Sequence, residues 1–148
     1  MPTGSPTLSL TDWVVLALVA EAPRHGFAVA KEVAADAALG EVWTVPRPLV
    51  YRVTRSGSAR VARWLDQPVA HPREVRTELL VKLMLRSRRG RPLTPLAQRQ
   101  LERFAPMTDG LEQRARAADG ADRVVARWRV ESIGAIRRTL EAIVADET

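Results

Sequence analysis

The 148-residue chain has 46% hydrophobic and 27% charged residues, the balance of an ordinary globular protein, which excludes a disordered, fibrous or low-complexity chain. It contains no cysteine, so disulfides and thiolate metal sites are excluded, and His25 and His71 stand alone in the sequence. Its formal charge is +6, with Lys31 and Lys82 the two lysines and 23 − 2 = 21 arginines making up the rest of the basic side chains.

The start, Met1 to Leu10, reads as a polar leader with no basic segment ahead of the first apolar run, unlike a signal peptide. That run, Trp13 to Ala20, is bounded by Asp12 and Glu21 and falls short of the roughly 20 residues that cross a bilayer, so no membrane partner and a cytoplasmic location are expected. Ser9-x-x-Asp12 has the form of a helix cap and predicts a first helix from Thr11 to Glu21. Pro23 and Gly26 punctuate the connection Ala22 to Gly26, with His25 read as a turn residue capping the second helix. That helix is short, predicted from Phe27 to before Gly40. A third starts near Arg47, with Pro48 in its first turn.

Tyr51 to Thr54 is β-prone, and Ser56-Gly57 predicts a break before a helix over Ser58 to Leu65. Short helices in tight succession followed by a strand are the order of a winged helix-turn-helix. Between Glu41 and Asp66 there is no acidic residue, while Arg47, Arg52, Arg55, Arg60 and Arg63 all fall there. This stretch is a candidate phosphate-binding surface, and a solvated basic face accounts for the same charges.

Pro68 and Pro72 separate this front part, residues 1–67, from a helical remainder, residues 68–148. Glu74 to Arg88 carries Val75, Leu79, Leu80, Leu83 and Met84 at helical spacing. Leu93 to Ala118 comes next, with Leu101, Phe104, Met107 and Leu111 on one face, and Pro106 and Gly110 predict a kink or break within it. Asp122 to Asp146 carries Val125, Trp128, Ile136, Leu140 and Ile143 at near-heptad spacing. Such stripes are candidates for dimerisation, and packing of the two long helices on each other within one chain would bury the same residues.

The opening Leu10-Thr11-Asp12-Trp13 to Ala20, followed by Pro23-Arg24-His25-Gly26-Phe27, resembles that of PadR-type transcriptional regulators, with their Pro-x-His-Gly-aromatic turn. Trp43 to Arg52 is similar to the entry of the family's recognition helix, Val53 to Gly57 to its returning wing strand, and Pro72 to Leu85 to the start of one subgroup's helical C-terminal region. The resemblance implies a mainly α fold, a winged helix-turn-helix followed by long dimerisation helices. It further implies a homodimer on a palindromic double-stranded operator, usually a repressor and often released by a small effector. In this frame Thr44, Arg47, Pro48, Tyr51, Arg52, Arg55 and Arg60 are the candidate DNA contacts. Leu101, Phe104, Leu111, Val125, Trp128, Ile136, Leu140 and Ile143 are the candidate dimer contacts, and Trp128 is also the candidate platform for a planar aromatic effector, with core packing as its ordinary alternative.

The chain departs from the family where Leu49-Val50-Tyr51-Arg52 runs straight into Val53-Thr54, so the wing is truncated and the reading helix short. A helix of about one turn offers few side chains to base edges. The alternative is therefore a shortened regulator that dimerises but binds DNA weakly, acting as an interaction or dominant-negative partner. No Ser/His/Asp grouping, Gly-rich phosphate loop or carboxylate pair stands out, so neither an enzyme nor a cofactor is expected.

Overall fold

The computed structural model describes residues 8–22, 28, 29, 31 and 54–147. Every element among them is helical: α1 (Leu10–Glu21), α2 (Arg55–Asp66), α3 (Leu80–Arg88), α4 (Thr94–Ala117) and α5 (Gly120–Asp146). A 3-10 turn, Pro72–Glu74, and a π turn, Val75–Leu79, run directly into α3. No described helix is long and apolar enough to cross a membrane. The expected third helix from Arg47, residues 51–53 of the expected strand, and most of the second helix lie outside the described residues; Ala28, Val29 and Lys31 are helical.

The expected cap of α1 is present. The Ser9 hydroxyl accepts from the Asp12 amide at 3.2 Å, and the Asp12 carboxylate accepts from the Ser9 amide at 2.9 Å. The Ser9 hydroxyl, which also donates to that carboxylate at 2.7 Å, and then the Ser9 amide hold the Asp12 carboxyl below its ordinary value. The helix is apolar nearly all round, so it is buried rather than amphipathic: Val14, Ala17, Leu18 and Val19 are in the core and Trp13, Val15 and Leu16 pack against it.

α2 begins earlier than the Ser56-Gly57 pair predicts. Thr54 is extended and caps the helix, its hydroxyl accepting from the Gly57 amide at 3.1 Å. Gly57 thus sits in a first turn held by a cap, where its intrinsic freedom does not break the helix.

Two apolar clusters meet at α3. The first joins α1 and Val29 to Val61, Trp64 and Leu65 of α2 and to Val81 and Leu85. The second joins Leu79 and Leu83 to Val69, to Leu96, Ala97 and Phe104 of α4 and to Ile133 and Leu140 of α5. Positions 81 and 85 fall on one side of the helix and 79 and 83 on another, so one segment serves both cores.

At the edge of the first cluster aromatic rings meet buried charge. Trp13 and Trp64 stack with centroids 5.1 Å apart and planes within 1°. The Arg60 guanidinium lies 5.8 Å over Trp13, and the Lys82 ammonium 5.0 Å from the Trp64 ring. Lys82 is 1% exposed, and its ammonium is offset by Glu78 at 2.7 Å and by donation to the Gln67 carbonyl at 2.8 Å. Burial pushes Lys82 below its ordinary value despite the opposing pull of Glu78.

Gln100 is fully buried on α4, and its side-chain amide pairs with both backbone groups of Val69, accepting from the N–H at 2.7 Å and donating to the carbonyl at 3.1 Å. Gln100→Leu keeps the volume but strands both groups in the core. A loss of ~2–4 kcal/mol is expected, read from the urea midpoint at unchanged m-value. A loss below about 0.5 kcal/mol would mean water replaces the amide.

α3 closes with Gly90 at φ 61°, where the Gly90 amide donates to Ser87 and the Arg91 amide to Arg86, both at 2.9 Å. Of the kink or break expected near Pro106 and Gly110, the break is absent, and α4 runs through both residues. Pro106 and Glu102, whose carbonyl the proline leaves without a helical donor, are both exposed, so water can serve that carbonyl. Gly120, at φ 52°, turns the chain into α5. At the other end of the α4–α5 hairpin, the Glu147 carboxylate accepts from the Leu93 and Thr94 amides, each at 2.8 Å, and from the Thr94 hydroxyl at 2.9 Å. These bonds, led by those from the Thr94 and Leu93 backbone, hold its carboxyl below the ordinary value.

Candidate nucleic-acid interface

In a chain so rich in arginine the useful question is which guanidinium groups the fold already consumes. Arg86, 2% exposed, donates to the Pro92 carbonyl from Nε at 2.9 Å and Nη2 at 2.6 Å, and its Nη1 pairs with the Asp66 carboxylate. Arg91 and Arg99 reach the same carboxylate at 3.2 and 3.8 Å. Burial raises the Asp66 carboxyl, but the hydrogen bonds from Arg86 and Arg91 outweigh it and the net shift is downward. Arg88 and Arg89 pair with Glu21 at 3.2 and 3.5 Å, tying the end of α3 to the end of α1. These arginines are structural.

The arginines of α2 differ. Arg55, Arg60 and Arg63 pair with no carboxylate among the described residues. Arg55 and Arg63 are exposed, with Ala59 between them on the stripe turned away from buried Val61, Trp64 and Leu65. Arg60 is half-buried and held over Trp13. The first turn of α2 has no acidic residue and carries Arg55 at the positive end of the helix dipole. That placement costs a helix a few tenths of a kcal/mol, to about 1. Helix stability alone does not call for it.

Of the expected DNA contacts, Thr44, Arg47, Pro48, Tyr51 and Arg52 lie outside the described residues, while Arg55 and Arg60 are placed as above. The expected dimer residues divide into two sets. Phe104 and Leu140 are buried between α4 and α5 of the same chain, and Leu101, Leu111, Ile136 and Ile143 pack half-buried around them. Val125 and Trp128 are 49% and 68% exposed. Periodicity groups all of these together, because it reports which positions are apolar and not which of them the neighbouring helix covers.

Two grooves lie along the hairpin. One, of about 340 Å³, has an apolar floor including Leu101, Phe104, Ile136 and Leu140. The other, nearer the α4–α5 turn and of about 610 Å³, is lined by Glu112, Arg116, Arg123, Arg127, Ala115 and Val130. Trp128, the expected effector platform, lines neither. No three histidine, aspartate or glutamate side chains gather as a metal site among the described residues. Sequence patterns did not single out Arg86, whose signal was a basic residue in the turn before Gly90, or Gln100, which no pattern flags. Comparison of the chain with protein-family models, with curated proteins and with solved structures gives no match.

Proposed function

We propose that this chain is a DNA-binding transcriptional regulator of the PadR type, a cytoplasmic repressor that acts as a homodimer through a winged helix-turn-helix with a shortened wing. The observation that carries the reading is the exposed face of α2, where Arg55 and Arg63 stand without a carboxylate partner among the described residues. They continue the acid-free stretch that begins after Glu41, and α2 is anchored by the Trp13–Trp64 stack to the α1 that carries the family-like opening.

On this reading Arg47 and Arg52 reach toward bases, while Arg55, Arg60 and Arg63 hold phosphates. Phosphate contacts fix register and supply affinity that falls with salt. Arg55→Ala combined with Arg63→Ala is expected to weaken binding to a duplex from the gene's own upstream region. The slope of log K against log salt should flatten by about 1 for each phosphate that is no longer held. Both side chains are exposed, so the fold should survive. An unchanged slope would remove α2 from the interface. Weak binding that ignores sequence would favour the shortened-regulator alternative, in which the chain works through its partners.

A further inference from the structure

The groove nearer the α4–α5 turn is lined by three arginines, Arg116 of α4 and Arg123 and Arg127 of α5, against one carboxylate, Glu112. Arg116 is offset by that glutamate, its Nη2 lying 3.5 Å from the carboxylate. Arg123 and Arg127 pair with no carboxylate among the described residues. Acids do stand at the same end of α5: Asp119, Asp122 and Glu131 are all exposed. None of them lines the groove or pairs with either arginine.

Helix stability does not call for this arrangement. Arg123 and Arg127 are four residues apart on α5, a spacing at which two like charges are neighbours and cost a helix about 0.2–0.5 kcal/mol. Arg116 adds a third cation from the other side of the groove. Three guanidinium groups against one carboxylate leave the lining with a formal charge of +2. That charge matches a phosphate monoester, which carries about −1.5 to −2 near neutral pH and offers three acceptor oxygens. The planar, paired donors of a guanidinium suit such a group. Ala115 and Val130 supply an apolar part of the lining, where an organic body fits beside the phosphate. The volume of about 610 Å³ falls within the roughly 300–1,000 Å³ of small-molecule sites. Cations that converge from two helices on a concave surface serve one compact anion. A duplex backbone is served instead by cations spread along an exposed face, as Arg55 and Arg63 are on α2.

We propose that this groove binds a phosphorylated small molecule, with the phosphate held between Arg116, Arg123 and Arg127 and the organic part against Ala115 and Val130. The site lies within one chain, so it depends neither on a dimer nor on DNA binding by α2. It is also distinct from Trp128, which does not line it.

Phenyl phosphate is the probe, titrated calorimetrically into the full-length chain at low ionic strength, with phenol as the neutral control. Saturable binding of phenyl phosphate and none of phenol is the expected result. Arg123→Gln combined with Arg127→Gln is expected to weaken binding about tenfold or more, because each removes a charge-assisted hydrogen bond. Arg114→Gln combined with Arg129→Gln removes the same charge from exposed positions outside the groove, and should leave the affinity within about twofold. Glu112→Gln removes the one carboxylate and releases Arg116, so binding should tighten by about threefold, a gain that a damaged fold cannot give. No saturable binding, equal binding of phenol, or equal weakening by the two double variants would overturn the proposal. So would a loss of upstream-duplex binding in Arg123→Gln with Arg127→Gln as large as that in Arg55→Ala with Arg63→Ala, since the groove would then serve DNA.

Discussion

Replacing Arg86 by leucine is expected to lower the unfolding free energy by ~2–4 kcal/mol, because it removes a buried guanidinium and strands the Pro92 and Leu65 carbonyls that it serves. Arg86 is 2% exposed, and its guanidinium joins three segments: the end of α2 through Asp66 and the Leu65 carbonyl, the chain before α4 through the Pro92 carbonyl, and α3 itself. Lysine cannot replace it, since one ammonium cannot place donors on Asp66 and Pro92 together in the same planar fork. Asp66→Asn should be milder, because the Asp66 side chain is 39% exposed and water can serve what it leaves. The pair also has an acid-side signature. The Asp66 carboxyl is held below its ordinary value, so its contribution is present above the unfolded-state value and disappears as pH falls through the folded one. Urea denaturation of Arg86→Leu and Asp66→Asn at neutral pH reads the ranking; equal losses would mean that the Pro92 contacts contribute nothing.

The second large effect belongs to Trp64. Trp64→Ala is expected to cost ~3–5 kcal/mol, the range for removing a large aromatic from a close-packed core. Three interactions go with the ring. It stacks on Trp13 at 5.1 Å, lies 5.0 Å from the Lys82 ammonium, and donates from Nε1 to the Glu78 carboxylate at 3.1 Å. Trp64→Phe keeps an aromatic face for Trp13 and Lys82 but loses the donor, and should recover more than half of the loss in a thermal or urea melt. If phenylalanine and alanine destabilise equally, the hydrogen bond to Glu78, which ties α2 to the π turn before α3, rather than the stack on α1 accounts for the loss.

The outline of this fold was legible because it depends on short-range signals. Ser9 and Asp12 announce the start of α1, and the spacing of Leu79, Leu83, Phe104 and Leu140 marks residues of the second core. The Ser56-Gly57 break failed for a local reason: Thr54 caps three residues downstream and outweighs the preference of the glycine it captures. The Pro106 break failed because the freed carbonyl lies on an exposed side of α4. The roles of Arg86, Gln100 and Lys82 as hubs were not legible. Their partners, Asp66, Val69 and Gln67, are 20, 31 and 15 residues away, and no periodicity connects a buried polar side chain to a backbone group in a distant loop.

Charge behaves the same way. The acid-free stretch was visible as composition, but only the pairings separate arginines that build the molecule, such as Arg86, Arg88 and Arg91, from those that pair with no carboxylate among the described residues, such as Arg55 and Arg63. Among the candidate dimer residues, likewise, the sequence marks one apolar stripe, but Phe104 and Leu140 are buried within the chain while Val125 and Trp128 stay exposed, because near the turn it is Arg123, Arg127 and Val130 that line the groove with α4.

Whether this chain reads DNA is tested most directly by fluorescence anisotropy of the wild-type protein with a labelled duplex from its own upstream region and with a scrambled duplex of the same composition, at moderate salt. Saturable binding that favours the upstream duplex and weakens steeply as salt rises is the expected result. Equal binding to both duplexes, or none to either, would contradict the proposed function.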